Sequence, residues 1–184
     1  MKLGLVSAIL PDNSFEELID YAASVGFKCV EVCCWPKGKA VRRYAGVTHI
    51  DVTDISDEKI AYYADYSESK GVEISSLGYY PNPLDPDEET ALVAREHIKK
   101  LIEVSARMGV NMVTTFIGRN KFKTTEENLE LFKEAWTPII RLAEEKDVKI
   151  AIENCPMLYT ANEWPGGNNL ASTPAIWTEM FSVI

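Results

Sequence analysis

A strand-like segment followed by a helix-like segment recurs five times along this 184-residue chain. The strand-like segments are short and rich in apolar residues, and they start near residues 3, 28, 72, 110 and 148. Each of the four intervals between them contains one helical pattern, and a fifth helical pattern follows the last segment. The recurrence predicts an α/β fold with a parallel sheet and right-handed crossovers.

The segment boundaries follow from capping and turn residues. The sequence predicts strands over residues 3–9, 28–34, 72–77 and 110–117 and from 148 onwards, and helices over 15–25, 57–70, 86–108 and 124–146 and from 174. Capping-box spacing predicts two of the helix starts, and a threonine before a proline predicts the start of the last helix: Ser14 with Glu17, Thr124 with Glu127, and Thr173 before Pro174. Pro138 inside the fourth helix predicts a kink or a break after Trp136.

Two architectures fit this order of elements. Five strands could form a doubly wound sheet of the flavodoxin type, or they could be the first part of a (β/α)8 barrel of about 250 residues or more. The long loops after the second and fifth strands favour the incomplete barrel, and so does the end of the chain inside a helical pattern. The sequence contains no G-x-G-x-x-G pattern and no phosphate-binding loop, so no motif indicates nucleotide binding.

Charge, apolar runs and cysteine content argue against several classes of protein. The net charge of −9 argues against a nucleic-acid surface, which normally has a basic stripe. No apolar run reaches the roughly 18–20 residues of a membrane helix, and the first residues lack the layout of a signal peptide. The four cysteines lack zinc-ribbon spacing, so we expect a cytoplasmic protein with reduced thiols that binds neither nucleic acid nor membrane.

The fifth strand ends in polar residues, within the stretch Val148-Lys149-Ile150-Ala151-Ile152-Glu153-Asn154-Cys155-Pro156. Alternation along a strand sends Val148, Ile150 and Ile152 to one side, and Ala151 and Glu153 to the other. In a barrel the second side faces the pore, and chemistry is located at the carboxyl ends of the strands. Glu153 is therefore a candidate catalytic residue, and the alternative is that it caps a loop or pairs with a lysine.

Other candidates lie at the same predicted rim. Glu31 ends the second strand on the pore side, where it could bind sugar hydroxyls or pair with a lysine of a neighbouring strand. Trp35, Tyr79, Asn82 and Trp164 follow strands, and aromatic faces and amides suit a carbohydrate pocket, with loop packing as the alternative for each.

The loop after the second strand contains Arg42, Arg43 and His49, which could clamp a phosphate or form a solvated surface. The other histidine, His97, lies beside two lysines of a helix and is expected at the surface.

Two blocks of sequence resemble the sugar phosphate isomerase/epimerase family. They are Ile150-Ala151-Ile152-Glu153-Asn154-Cys155-Pro156-Met157 with Asn162-Glu163-Trp164-Pro165-Gly166-Gly167, and Arg42-Arg43-Tyr44-Ala45-Gly46-Val47-Thr48-His49-Ile50-Asp51. That family belongs to the xylose isomerase-like TIM barrels, which also include type IV apurinic endonucleases and inosose dehydratases. The resemblance implies a single domain over residues 1–184 that forms the N-terminal part of such a barrel, with about five of its eight units.

The resemblance also implies a chemistry. In the family, a glutamate that ends strand five binds a divalent metal, and Glu153 matches that position. The remaining ligands come from strands six to eight, which this sequence does not contain. The implied cofactor is Mn²⁺ or Mg²⁺, with Co²⁺ or Zn²⁺ as alternatives. The implied activity is isomerisation or epimerisation of a keto sugar or sugar phosphate by proton abstraction next to the carbonyl. An inosose-type dehydratase and a non-catalytic fragment or binding domain are the alternatives.

The sequence argues against a multi-zinc nuclease within this resemblance, because the endonuclease branch needs zinc-binding histidines at the ends of strands three and four. Here those ends read Leu77-Gly78-Tyr79 and Phe116-Ile117-Gly118. Five strands of a barrel leave unpaired edges and an unfilled pore, so we expect a homo-oligomer that covers them.

Overall fold

A computed structural model describes residues 1–38, 45–158 and 167–184. Strands and α-helices alternate along these residues, as the sequence predicts. The strands are β1 (Gly4–Val6), β2 (Cys29–Cys33), β3 (Glu73–Gly78), β4 (Met112–Thr115) and β5 (Lys149–Ile152). The helices are α1 (Phe15–Ser24), α2 (Asp57–Ser69), α3 (Glu88–Met108), α4 (Thr125–Glu145) and α5 (Pro174–Val183). Within the described ranges, no helix is both long enough and apolar enough to cross a membrane.

The order of the strands decides between the two predicted architectures. The sheet has the order β1-β2-β3-β4-β5, and every neighbouring pair is parallel. A doubly wound sheet of the flavodoxin type has the order 2-1-3-4-5, which places helices on both faces. Sequential order with right-handed crossovers instead places the helices on one face. The α/β fold is therefore an incomplete TIM barrel, as predicted, and the doubly wound alternative is wrong.

The main apolar core lies between the helices and one face of the sheet. Val30 and Val32 of β2 are fully buried there, together with Leu101 of α3 and Ile139 of α4. Burial of such a side chain contributes about 1.5–3 kcal/mol. This face stabilises the domain, and Glu31, between the two valines, projects to the opposite face.

The first and fourth strands are much shorter than predicted, because local hydrogen bonds and backbone geometry limit them. The first was predicted over residues 3–9, but residues Ser7–Ile9 form a short 3-10 helix. There the Leu10 amide donates to the Ser7 carbonyl at 3.0 Å, and the Ser7 hydroxyl oxygen accepts from the Cys33 amide at 2.7 Å. The fourth begins at Met112, because Asn111 has a φ of 56°, which is a left-handed and not an extended conformation.

The helix predictions are largely confirmed. Both predicted capping boxes are present, at the starts of α1 and α4, and Thr173 caps α5 with Pro174 as its first residue. Helix α3 begins at Glu88, two residues later than predicted, because the Asp87 carboxylate caps it by accepting from the Thr90 amide at 2.8 Å.

The predicted interruption of α4 at Pro138 does not break the helix. A single helix covers Thr125–Glu145 and includes Pro138. The neighbouring residues Trp136 and Ile139 are 1% and 0% exposed, so burial on both sides of the proline holds the helix in place. Packing here outweighs the local cost of the proline, which is about 3 kcal/mol in a helix interior.

Candidate functional site

A cleft of about 700 Å³ lies on the face of the sheet away from the helices. Glu31 of β2, Thr114 of β4 and Ala151 of β5 line it, together with Glu153, which directly follows β5. We call this the pore-side cleft. Strand alternation predicts this grouping, because all four residues have the parity opposite to that of the buried apolar positions.

Glu31 is held by hydroxyl groups. Tyr80 donates a hydrogen bond to Oε1, and the Ser76 hydroxyl donates to Oε2 at 3.3 Å. The carboxylate also lies against Gly78 of β3, where a Cβ atom would be 2.8 Å from Oε1. No lysine pairs with Glu31 among the described residues, and its partners there are neutral donors. Both partners donate to the carboxylate and thereby orient it in the cleft.

Tyr80 belongs to this site and was not singled out from the sequence. Burial raises its pKa far above the usual range, and the charge of Glu31 and the hydrogen bond to it raise the pKa further. The phenol is therefore neutral at physiological pH and acts as a donor. Ser76, Gly78 and Tyr80 alternate along β3 and its extension, so the parity that identified Glu31 could also have identified Tyr80.

Glu153 lies at the mouth of the pore-side cleft and is exposed. Its amide donates to the Thr115 carbonyl at 3.1 Å, and its carbonyl accepts from Asn169 Nδ2 at 3.2 Å. Asn169 is fully buried and was also not singled out from the sequence. The β-sheet and the loop before α5 thus both hold the main chain at Glu153.

A second cleft, of about 860 Å³, adjoins the first and shares Tyr80 and Met157 with it. We call it the outer cleft. Of the predicted substrate-binding residues, Trp35, Tyr79 and Asn82 line it. Trp164 lies outside the described residues.

Tyr79 is 4% exposed and packs edge-on against two rings, with centroids 4.9 Å from Trp35 and 4.6 Å from His97. The prediction that His97 lies at the surface is wrong, because this residue is buried and its Nε2 donates to the Cys34 carbonyl at 2.7 Å. Burial lowers the pKa of His97. The histidine therefore supports the aromatic wall of the outer cleft from behind.

The Asn82 side chain connects two loops through hydrogen bonds. Its Oδ1 accepts from the amides of Arg119 and Leu84, at 2.8 and 3.2 Å, and its Nδ2 donates to the Arg119 carbonyl at 2.9 Å. These bonds join the loop after β3 to the loop after β4. The role of Asn82 in substrate binding stays a prediction, and the geometry adds a structural role to it.

His49 is buried and not part of a solvated surface. Its Nε2 donates to the Leu10 carbonyl at 3.1 Å, and burial lowers its pKa. A neutral imidazole provides no charge for a phosphate. Arg42 and Arg43 lie outside the described residues.

The described residues contain no group of three or more histidine, cysteine, aspartate or glutamate side chains that could hold a metal ion. Glu31 and Glu153 provide two carboxylates in one cleft, which is the donor type that suits Mg²⁺ and Mn²⁺. A soft site at the cysteines is disfavoured, because burial raises the pKa of Cys33 to about 11 and that of Cys34 well above its usual value. The residues present therefore fit part of a hard-metal site.

Comparisons with known proteins agree with the fold. Solved structures with the same fold include D-psicose 3-epimerase from Clostridium cellulolyticum H10, crystallised with D-tagatose (TM-score 0.65, 16% identity, 98% of this chain and 60% of that chain). They also include the probable 3-DHS dehydratase AsbF from Bacillus anthracis (TM-score 0.66, 14% identity, 100% and 59%). A third is the IolI protein with a bound zinc atom (TM-score 0.57, 18% identity, 83% and 51%).

The chain spans about 60% of the length of the epimerase. A search of curated proteins finds no match. The family model described as xylose isomerase-like TIM barrel matches residues 19–176, which is most of the sequence. The chain therefore belongs to the xylose isomerase-like TIM barrel family.

Proposed function

We propose that this chain provides the N-terminal five βα units of a divalent-metal-dependent isomerase or epimerase. Its substrate is a keto sugar or sugar phosphate, and the reaction begins with removal of a proton next to the carbonyl. The observation that supports this most directly is the position of Glu153, beyond the carboxyl end of β5 and in the same cleft as Glu31. In barrels of this type, catalytic residues come from the carboxyl ends of several strands.

Glu153 and Glu31 have separate roles in this reaction. The Glu153 carboxylate accepts the proton, the electrons of the broken C–H bond form the double bond of an enediolate, and the carbonyl oxygen gains the negative charge. A proton delivered to the opposite face of the same carbon, by an acid group from outside the described residues, gives the epimer, and return of the proton by Glu153 to the neighbouring carbon gives the isomer. Glu31, oriented by Tyr80 and Ser76, accepts hydrogen bonds from sugar hydroxyls.

A divalent cation, Mn²⁺ or Mg²⁺, polarises the substrate oxygens and stabilises the enediolate charge when it is bound. Glu153 would be one of its ligands, and further ligands come from outside the described residues, either from later strands of a complete barrel or from another copy of the chain. The donor type is suitable, since carboxylate oxygen matches both ions.

The outer cleft receives the remainder of the sugar, with Trp35 and Tyr79 against its apolar face. A role of Trp164 in substrate binding stays a prediction. The described lining of this cleft includes the carboxylates of Asp85, Asp87 and Glu89, and one lysine, Lys121. This balance favours an uncharged sugar over a phosphate ester, because a phosphate would meet an excess of negative charge.

The test is proton exchange and metal binding in the parent chain and in Glu153→Gln. Ketohexoses and their phosphates are incubated in deuterium oxide with Mn²⁺, and deuterium incorporation next to the carbonyl is followed by NMR. The parent should exchange and should be stabilised by Mn²⁺, Glu153→Gln should do neither, and the control Glu103→Gln, at an exposed position of α3, should behave as the parent. Retained exchange in Glu153→Gln would refute the proposal.

A second candidate is a sugar-binding domain without catalysis, which is favoured by the lack of a three-ligand metal group in the described ranges. Sugar binding without deuterium incorporation would support it. A product that has lost water would instead indicate a dehydratase.

We also propose self-association through the ends of the sheet. Strands β1 and β5 each have one neighbour in the described sheet, and beside β1 the apolar side chains of Leu3, Val6 and Ile9 are 70%, 42% and 56% exposed. Exposed strand edges with apolar neighbours favour association. Sedimentation equilibrium should give a mass above that of the 20.6 kDa chain, and a monomer at all concentrations would contradict this.

A further inference from the structure

The side chain of Asn169 joins the carboxyl ends of β4 and β5. It is 0% exposed, and its Oδ1 accepts from the amides of Ile117 and Gly118 at 3.2 and 3.3 Å. Its Nδ2 donates to the carbonyls of Glu153 and Cys155 at 3.2 and 2.6 Å. One buried amide group therefore binds the main chain of two loops that the sequence separates by more than thirty residues.

The orientation of this amide is determined by its partners. Main-chain carbonyls can only accept hydrogen bonds and main-chain amides can only donate, so the oxygen must face the loop after β4 and the nitrogen must face the loop after β5. A flipped side chain would place donor against donor and acceptor against acceptor. An asparagine at this position is thus chemically specific, and an aspartate of the same size would not replace it.

The loop after β4 provides a firm anchor for Asn169. Asn82 binds the amide and the carbonyl of Arg119 from one side, and the Leu170 amide donates to the Gly118 carbonyl at 2.9 Å from the other. A Cβ atom on Gly118 would lie 2.3 Å from Asn82 Oδ1, so the contact is close enough to require glycine. Glu153 is held against this anchor through Asn169.

We propose that Asn169 is a positioning residue, which fixes the main chain at Glu153 so that the carboxylate is directed into the pore-side cleft. Both main-chain groups of Glu153 are bonded, the amide to the Thr115 carbonyl of β4, and the carbonyl to Asn169 Nδ2 and to the Cys155 amide at 3.1 Å. The bond to Cys155 stays within the loop after β5, so without Asn169 the peptide after Glu153 is no longer tied to the loop after β4, and the direction of the side chain changes with it. The consequence for metal binding rests on the function proposed for Glu153.

The test compares the same substitution at two buried asparagines. Asn169→Asp removes the two donors and places a carboxylate against the carbonyls of Glu153 and Cys155. Asn128→Asp is the matched control, because Asn128 is also 0% exposed and its Nδ2 also donates to main-chain carbonyls, the nearest being that of Thr124 at 2.7 Å. Those partners are the carbonyls of Asn120, Lys123 and Thr124, which lie in the loop that leads into α4 and not in the loop of Glu153.

The deciding measurement is the side-chain carboxyl signal of Glu153 in protein labelled with ¹³C-glutamate, assigned by its loss in Glu153→Gln. Asn169→Asp should shift or broaden this signal, and Asn128→Asp should leave it unchanged. Asn169→Ala, which removes the bonds without adding charge, should also move the signal and provides the test if the aspartate variant does not fold. An unchanged signal in a folded Asn169 variant would overturn the inference, whether or not the chain binds metal.

Measurement of Mn²⁺ affinity tests the positioning role of Asn169 separately from the function proposed for Glu153. If the parent binds Mn²⁺ through Glu153, Asn169→Asp should bind it about tenfold more weakly or worse, as is usual when the support of a metal ligand is lost, and Asn128→Asp should bind it as the parent does. Equal affinity in Asn169→Asp would overturn the positioning role. Equal affinity in the parent and Glu153→Gln would overturn the proposed function, and the carboxyl signal would still decide the role of Asn169.

Discussion

Replacement of Gly78 by alanine should displace Glu31 without changing any group that binds it. A Cβ atom at Gly78 would lie 2.8 Å from Glu31 Oε1, 3.3 Å from Glu31 Cδ and 3.2 Å from Thr114 Oγ1. Ordinary contact begins at 3.4 Å, so the carboxylate must move away by about 0.6 Å, the difference between 2.8 and 3.4 Å. The hydrogen bonds from Tyr80 and Ser76 must lengthen or realign as it moves.

Two effects of opposite sign set the size of the change in stability. The methyl group restricts the unfolded chain, which stabilises the fold by about 0.4–1 kcal/mol. Overpacking costs about 1–3 kcal/mol, and weakened hydrogen bonds to the carboxylate add to that cost. The cost exceeds the gain, so we expect a net destabilisation of about 1–2 kcal/mol. That change corresponds to a fall in Tm of roughly 2–8 °C for a domain of this size.

Thermal and urea unfolding of four variants test the reasoning. Gly38→Ala is the control, because among the described residues no atom beyond its chain neighbours lies within 4 Å of the point that an added Cβ would occupy. It should leave Tm nearly unchanged. The decisive comparison is Gly78→Ala in the parent and in a Glu31→Ala background, where the clashing carboxylate is absent. The destabilisation should shrink there. If Gly78→Ala lowers Tm equally in both backgrounds, or in neither, the contact between Gly78 and Glu31 is not the cause of the destabilisation.

Three further predictions follow from single contacts. Tyr80→Phe removes a donor to Glu31 and should lower the free energy of unfolding by about 1 kcal/mol in urea, and an unchanged value would show that the bond contributes nothing. Burial lowers the pKa of His97 in the folded chain. As the pH falls below about 6.5, this histidine is therefore protonated in the unfolded chain before it is protonated in the folded chain. The free energy of unfolding should therefore fall between pH 8 and pH 5, and His97→Gln, which can still donate to the Cys34 carbonyl, should reduce that fall. A pH dependence equal to that of the parent would contradict this. Ile139→Ala should cost about 2–5 kcal/mol and Ile139→Val about 0.5–1.5 kcal/mol in thermal unfolding, and similar values for the two would argue against a tightly packed core at this position.

The elements of the fold could be predicted from local patterns, because strand composition and helix caps act over a few residues. The capping boxes at Ser14 and Thr124 are examples in which side chain and amide lie three residues apart. The order of the strands could not be derived this way. Sequential and doubly wound sheets use the same strands and helices, and they differ only in which strands pair.

In the candidate site too, local patterns predicted some residues and could not predict those that depend on distant contacts. Strand parity was enough to bring Glu31 and Glu153 into one cleft. His97 was assigned to the surface from its lysine neighbours, although its spacing of three or four residues from Ala94 and Leu101 places it on the buried face of α3. Asn169 could not be recognised, because an asparagine in a loop resembles a turn residue and its partners are main-chain groups far away in the sequence.

The sequential order of the strands has a consequence for how the chain folds during synthesis. Each strand after β1 pairs with the strand that precedes it. Its pairing partner has therefore already been synthesised when the strand leaves the ribosome. Pairing between neighbours in sequence also keeps the loops that must close shorter than in a sheet whose order skips strands, which lowers the entropic cost of closing them. The pore-side cleft is then among the last features to form. Glu31 is in place once β3 has paired, whereas Glu153 joins only with β5, and Asn169 secures it after a further loop has been made.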